Sequence, residues 1–208
     1  MTEAGPKRQR NLRGEGSRLK EEVIEAAMRI LDRSPATELS LRTVAREAGV
    51  AAPSLYRQFA DAEAMFREVV RECWLQVGVE MSAAASAARD QPPVGRLQEQ
   101  LGAYVRYAMQ RPSRYQLLFA LQAGSDGDLD GPLRPAYRPV LETIESHVAA
   151  GGRLPTADAV SAAIFTLSFA HGRIALAHLA PARPGNLAPV VEDFVRDVVG
   201  RLFAGSGG

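Results

Sequence analysis

Residues 41–59, LRTVAREAGVAAPSLYRQF, constrain the fold of this chain more than any other stretch. Two short helical runs flank Gly49, and a turn there needs a positive φ that carries no Cβ penalty in glycine. Ser40 is placed as the N-cap of the first run. Ala45 falls on its inner face, where a crossing helix leaves room only for a small side chain. Val44, Ala48, Val50 and Leu55 make an apolar plug, which Leu19, Val23 and Ile30 of a preceding helix can close. Pro53 lies in the first turn of the second run, where its missing N–H is harmless. This is the pattern of a helix-turn-helix, and it leaves Ser54, Tyr56, Arg57 and Gln58 outward. Hydroxyls suit phosphates, and Arg and Gln suit base edges in the major groove.

The rest of the chain also reads as helix. Apolar residues recur at helical spacing over 18–33, 41–48, 53–59, 62–88, 94–110, 113–123, 133–150, 156–179 and 187–203. Asp61 is placed to cap the run 62–88, and residues 124–132, GSDGDLDGP, form a loop. No segment sustains the alternation of a strand. The expected fold class is therefore all-α, with a flexible basic arm (1–16), a helix-turn-helix domain (17–60) and a second helical domain (61–204).

Charge is uneven although the whole chain of 208 residues carries only +1. The first 20 residues hold 6 basic and 2 acidic side chains. The cations Lys7, Arg8, Arg10, Arg13, Arg18 and Lys20 precede the helix pair, which suits a polyanion. The single cysteine, Cys73, excludes an intrachain disulfide and a cysteine zinc cluster, and it is expected to be an inert buried thiol. No metal and no cofactor are expected. No apolar run reaches the ~18 residues of a membrane span, and no secretory leader opens the sequence, so a cytoplasmic protein without a membrane partner is expected.

The order of elements, with TVAREAGV, then APSLYRQFAD and a long helix, resembles the TetR family of bacterial repressors. The resemblance implies an all-α homodimer whose first three helices bind double-stranded operator DNA and whose later helices bind a small effector. Carried over position by position, Arg42, Thr43, Ser54, Tyr56, Arg57 and Gln58 are the DNA-facing residues. Leu55 and Phe59 match core positions. Residues 111–119, RPSRYQLLF, and Ala170-His171-Gly172 resemble one subgroup of the family, in which Trp often stands where this chain has Leu167. One departure is at Ala62, where much of the family has a phosphate-binding Lys. The basic arm and Arg42 could supply that charge.

In such a domain a pocket opens between helices. Its candidate lining is Trp74, Tyr104, Tyr107, Phe119, Tyr137, Phe165 and Phe169, which suits an apolar or aromatic effector. His171 is expected to be a core or interface histidine. On 187–203 the set Leu187, Val190, Val191, Phe194, Val195, Val198, Val199 and Leu202 covers more arc than one core can hide. Ala159, Ala162, Ala163 and Gly172 on 156–179 would permit close approach, so the two helices are expected to form a two-fold four-helix interface.

The function implied is a ligand-responsive regulator, a repressor released by its effector. Two other classes compete with it. An adaptor that keeps the head without using it would explain the absent cation. An enzyme could be drawn from His171, Asp158 and Ser161, but no nucleophile elbow, phosphate loop or dinucleotide fingerprint accompanies them.

Overall fold

The structure, a computed structural model, describes residues 15–120, 131–179 and 186–204. The arm residues 1–14, the loop segment 121–130 and the tail 205–208 lie outside them. Every described regular element is a helix, which matches the all-α expectation. The chain divides into two compact units, one ending at Val69 and one starting at Val70.

In the first unit, α1 (Glu15–Arg33) buries Val23, Ala26, Ala27, Ile30 and Leu31 along one face. Pro35 follows it, and a single 3-10 turn (Ala36–Glu38) leads to α2 (Leu41–Ala48). The Ser40 hydroxyl accepts the Thr43 N–H at 3.1 Å, and the Thr43 hydroxyl accepts the Ser40 N–H at 2.9 Å. This reciprocal box satisfies two helix-end donors and fixes where α2 begins. Gly49 ends it at φ 68°, with the Val50 N–H on the Ala45 carbonyl at 3.0 Å. That is the left-handed C-terminal cap expected of a glycine there.

The next helix is shorter than the spacing predicts. α3 covers Ala52–Leu55 only, and residues 56–58 continue as turns. Ala51 has no side-chain acceptor to cap it, and a single turn gains little from backbone bonds alone. Packing holds it instead: Leu55 and Phe59, one turn apart, are both buried. Asp61 then caps α4 (Ala62–Ala87) by accepting the Ala64 N–H at 2.7 Å.

The second unit holds the rest of α4, then α5 (Pro93–Gln110), α6 (Pro112–Ala120), α7 (Arg134–Ala149), α8 (Ala159–Leu179) and α9 (Ala188–Ala204). α5 is the central element, with Leu97, Leu101, Tyr104, Val105, Tyr107 and Ala108 all buried. It runs antiparallel to α9. Gln98 donates to the Arg196 carbonyl at 2.8 Å, Arg196 pairs with Glu99 at 2.6 Å, and Arg106 pairs with Glu192 further along. α7 carries Pro139 in its interior, which offers no N–H to the Pro135 carbonyl. α4 approaches closely at that place. A Cβ on Gly78 would lie 2.2 Å from the Pro135 oxygen, so only glycine fits.

Three expectations need correcting. α8 starts at Ala159, not 156, because Asp158 accepts the Ser161 N–H at 2.7 Å as its cap. Ala162 and Ala163 are fully buried inside the unit, so they cannot serve a second chain. Gly172 does stay open, with nothing within 4 Å of where a Cβ would stand. α8 is also long and apolar enough to cross a membrane by length and composition, although no such segment was expected. It packs on α5, α7 and α9 with one face, and the other face stays exposed at Val160, Ile164, Phe165 and Leu176.

Candidate functional site

The α2–α3 pair sets the first candidate surface. Val44, Ala45 and Leu55 point into the first unit, and the opposite side carries polar groups. Arg42, Tyr56 and Arg57 are exposed, Tyr56 at 61%. Ser54 and Gln58 are half-buried. Arg57 donates from a terminal guanidinium nitrogen to the Ser54 hydroxyl at 2.9 Å. Thr43 is also half-buried, and its hydroxyl is engaged locally: it donates toward the Glu38 carbonyl at 2.9 Å and closes the α2 box. Its side chain therefore positions the helix start that precedes Arg42's neighbours.

Two of the six N-terminal cations are already paired. Arg18 contacts Glu22 at 2.8 Å and Lys20 contacts Glu68 at 2.9 Å. Glu47 of α2 takes Arg29 at 3.1 Å and also Arg33, both from α1. The hydrogen bond from Arg33 is the main reason its carboxyl lies below the usual range. The exposed Arg42 and Arg46 have no ion-pair partner among the described residues, so their charge stays available at the surface.

The second candidate site is a cavity of about 250 Å³ in the second unit. It is lined by Trp74 of α4, Tyr104 of α5, Phe119 of α6, Leu133 and Ala136 at the start of α7, and Leu167, Ser168 and His171 of α8. Phe119 meets Trp74 edge-on at 5.7 Å and stacks on His171 at 3.8 Å between ring centres. The Tyr115 hydroxyl lies 2.7 Å from His171 Nδ1. His178, two turns on, also stacks on Tyr115, at 5.0 Å. Burial holds both histidines below their ordinary pKa, so both are neutral at pH 7.

Of the seven aromatic candidates, the cavity brings together Trp74, Tyr104 and Phe119. Tyr107 is fully buried in α5 with the Arg111 guanidinium 4.8 Å from its ring centre. Tyr137 is buried in α7 and is not part of the lining. Phe165 and Phe169 lie elsewhere. Phe165 is 43% exposed, and Phe169 stacks on Phe194 of α9 at 6.0 Å. Both belong to the outer α8–α9 face, where Val160, Ile164, Val190 and Phe194 are also exposed.

Sequence reasoning missed His171 and Ser168 as cavity residues. Their i, i+3 spacing was a usable signal, but it shows only that they share a face, and the face becomes a cavity only when α6 and α7 arrive. Asp158 and Ser161, the other members of the drawn hydrolytic set, are both used in the α8 cap, where the Ser161 hydroxyl also donates to Asp158 at 3.1 Å. No cluster of metal-ligating side chains occurs among the described residues.

Comparison with known proteins agrees with both units. Residues 97–202, just over half of the chain, match the family model described as the tetracyclin repressor-like C-terminal domain. Residues 23–69 match the model of bacterial regulatory proteins, tetR family. The chain is 28% identical over 130 residues to an uncharacterized HTH-type transcriptional regulator of Mycobacterium tuberculosis, covering 62% of this chain. It spans 58% of that relative's length. A Rhodococcus sp. RHA1 protein of unknown function has a similar structure, with a TM-score of 0.67 at 22% identity over 89% of this chain and 95% of that one. RolR, in complex with the ligand resorcinol, is similar with a TM-score of 0.68 at 15% identity over 91% of each chain. With both family models falling on the two units in order, the chain belongs to the TetR family of ligand-responsive, DNA-binding transcriptional regulators.

Proposed function

We propose that this regulator binds a palindromic operator as a homodimer, represses from it, and leaves it when a small aromatic effector enters the cavity of the second unit. The observation that carries the reading is the α2–α3 pair, which buries Val44, Ala45 and Leu55 while exposing Arg42, Tyr56 and Arg57. Arg57 and Gln58 read base edges, and Arg42, Ser54 and Tyr56 contact phosphates, with Thr43 holding the start of α2. The domain division follows function: residues 17–60 form the head, and 61–204 sense the effector and dimerise. The protein acts by binding alone, with no catalytic step.

The effector class follows from the walls. Six of the eight lining side chains are apolar or aromatic, and the volume accepts a guest of one or two rings. Resorcinol, the ligand of RolR, is of that size class. The dimer reading is supported by the outer α8–α9 face. On α9 the spine Val191, Val195, Val199 and Phe203 is buried, while Val190 and Phe194 form a second apolar stripe turned to solvent. α4 begins in the first unit and carries Trp74 of the cavity, so one helix is common to the head and the effector site.

Footprinting of the purified protein on genomic DNA tests the reading. Discrete protected stretches containing an inverted repeat are expected, and an Arg57→Ala/Gln58→Ala double variant should lose them. Uniform, sequence-independent protection by both proteins would refute it.

A further inference from the structure

His171 is more than a wall of the cavity, because its hydrogen bonding determines what its free nitrogen can do. The Tyr115 hydroxyl oxygen lies 2.7 Å from His171 Nδ1 and 3.2 Å from the carbonyl oxygen of the same residue. A carbonyl can only accept, and a tyrosine hydroxyl has one proton to give. Each contact has a hydrogen of its own in one arrangement: Tyr115 donates to the carbonyl, and Nδ1–H donates to Tyr115. The other tautomer leaves one hydroxyl proton to be shared between Nδ1 and the carbonyl, a weaker three-centre bond. Nε2 is then a bare lone pair. It makes no hydrogen bond to any described residue, and the ring that carries it lines the cavity.

The surroundings narrow what that lone pair can receive. Trp74, Tyr104, Phe119 and Leu167 make the walls apolar and largely aromatic, and among the described residues no Lys, Arg, Asp or Glu contributes to the lining. An anionic guest would face the lone pair with no cation to balance it. A cationic guest would meet no carboxylate among the described lining residues. Ser168, one turn before His171, adds a second small polar group on the same side.

We propose that the effector is a neutral hydroxyaromatic compound whose O–H donates to His171 Nε2, with Tyr115 acting as the positioning residue that keeps Nε2 an acceptor. This rests on reading the cavity as the effector site.

Trp74, the only tryptophan in the chain, lines the cavity and reports occupancy by its fluorescence. The full-length protein is titrated with m-cresol, its O-methyl ether and toluene, exciting at the red edge of indole absorption. m-Cresol should bind about tenfold more tightly than the other two, the worth of one hydrogen bond. In His171→Phe, which keeps a ring against Phe119 but has no nitrogen, the three should bind alike. Nitrogen-15 NMR of labelled histidine gives a second readout that needs no ligand and no ring replacement. His171 should carry its proton on Nδ1 in the wild type and lose that preference in Tyr115→Phe. A wild-type His171 protonated on Nε2, or equal affinity for m-cresol and its ether, overturns the hydroxyl donor while leaving the cavity as an effector site. No response of Trp74 to any of the three at millimolar concentration overturns the cavity reading and the proposal together.

Discussion

Glycine is required at positions 49 and 78 for different reasons, and the two should respond differently to substitution. At Gly49 there is free space but φ is 68°. Gly49→Ala therefore costs about 1–2 kcal/mol of backbone strain and nothing from clashes. At Gly78 the backbone conformation is ordinary but the Pro135 carbonyl stands in the way, so Gly78→Ala must push α4 and α7 apart. The expected loss is at least as large, about 1–3 kcal/mol. Denaturant unfolding of both variants checks this, with Gly49→Asn, a residue that tolerates the left-handed region, recovering part of the first loss but having no counterpart at 78. The DNA-facing residues also separate by role. Arg57→Ala should relax base preference by roughly 1–3 kcal/mol, and Tyr56→Phe should weaken specific and scrambled duplexes alike. Equal losses on both duplexes for Arg57→Ala would remove it as a base reader. Residues whose role is local were readable from sequence. Ser40, Gly49 and Asp61 each act within four positions of themselves, so the cap and turn rules reach them. His171 was not readable in this way, because the hydroxyl that orients it comes from Tyr115, 56 residues earlier.

Whole helices behave the same way. Periodicity located the longer α-helices among the described residues, since each buries an apolar stripe, but it could not say which of two apolar stripes meets the core. Phe165 and Phe169 show the consequence. They lie on a helix with apolar residues all round, and only packing decides that they face outward with Phe194 and not toward the cavity. Ends failed where a cap outranks a pattern, as at Asp158, or where packing outranks the helix, as in the one-turn α3. A titration at the α6–α8 contact tests this packing. His171 and His178 both meet the Tyr115 ring, and burial lowers the pKa of each below the ordinary 6.5. In the unfolded chain they take up protons as pH falls through that value, while in the folded chain they resist. Their contribution to stability is therefore fully present above pH 6.5 and is lost as pH falls toward their folded pKa values. Melting temperature measured from pH 7.5 downward should fall, and His178→Gln should flatten the dependence. An identical slope in the variant would contradict it.

For the whole molecule, the account depends on two heads held by one interface. A helix with a buried spine and a second exposed apolar stripe, as in α9, leaves surface that a partner copy would cover. Phe194→Asp puts a charge into that stripe and should yield a monomer by light scattering, with the first unit unchanged. The two-unit plan was legible because the head motif is local and the charge changes along the chain. The way the outer face of α8 is used was not, because Ala162 and Ala163 turned inward. The central claim is that a dimer reads two half-sites through α2 and α3. The direct test is a titration of the purified protein onto a footprinted inverted repeat and onto the same duplex with one half-site scrambled. The account predicts two chains per intact duplex and a loss of at least about a hundredfold in affinity on the scrambled one, a difference of about 2.7 kcal/mol. Equal affinity for the two duplexes, with one chain bound to each, would contradict it.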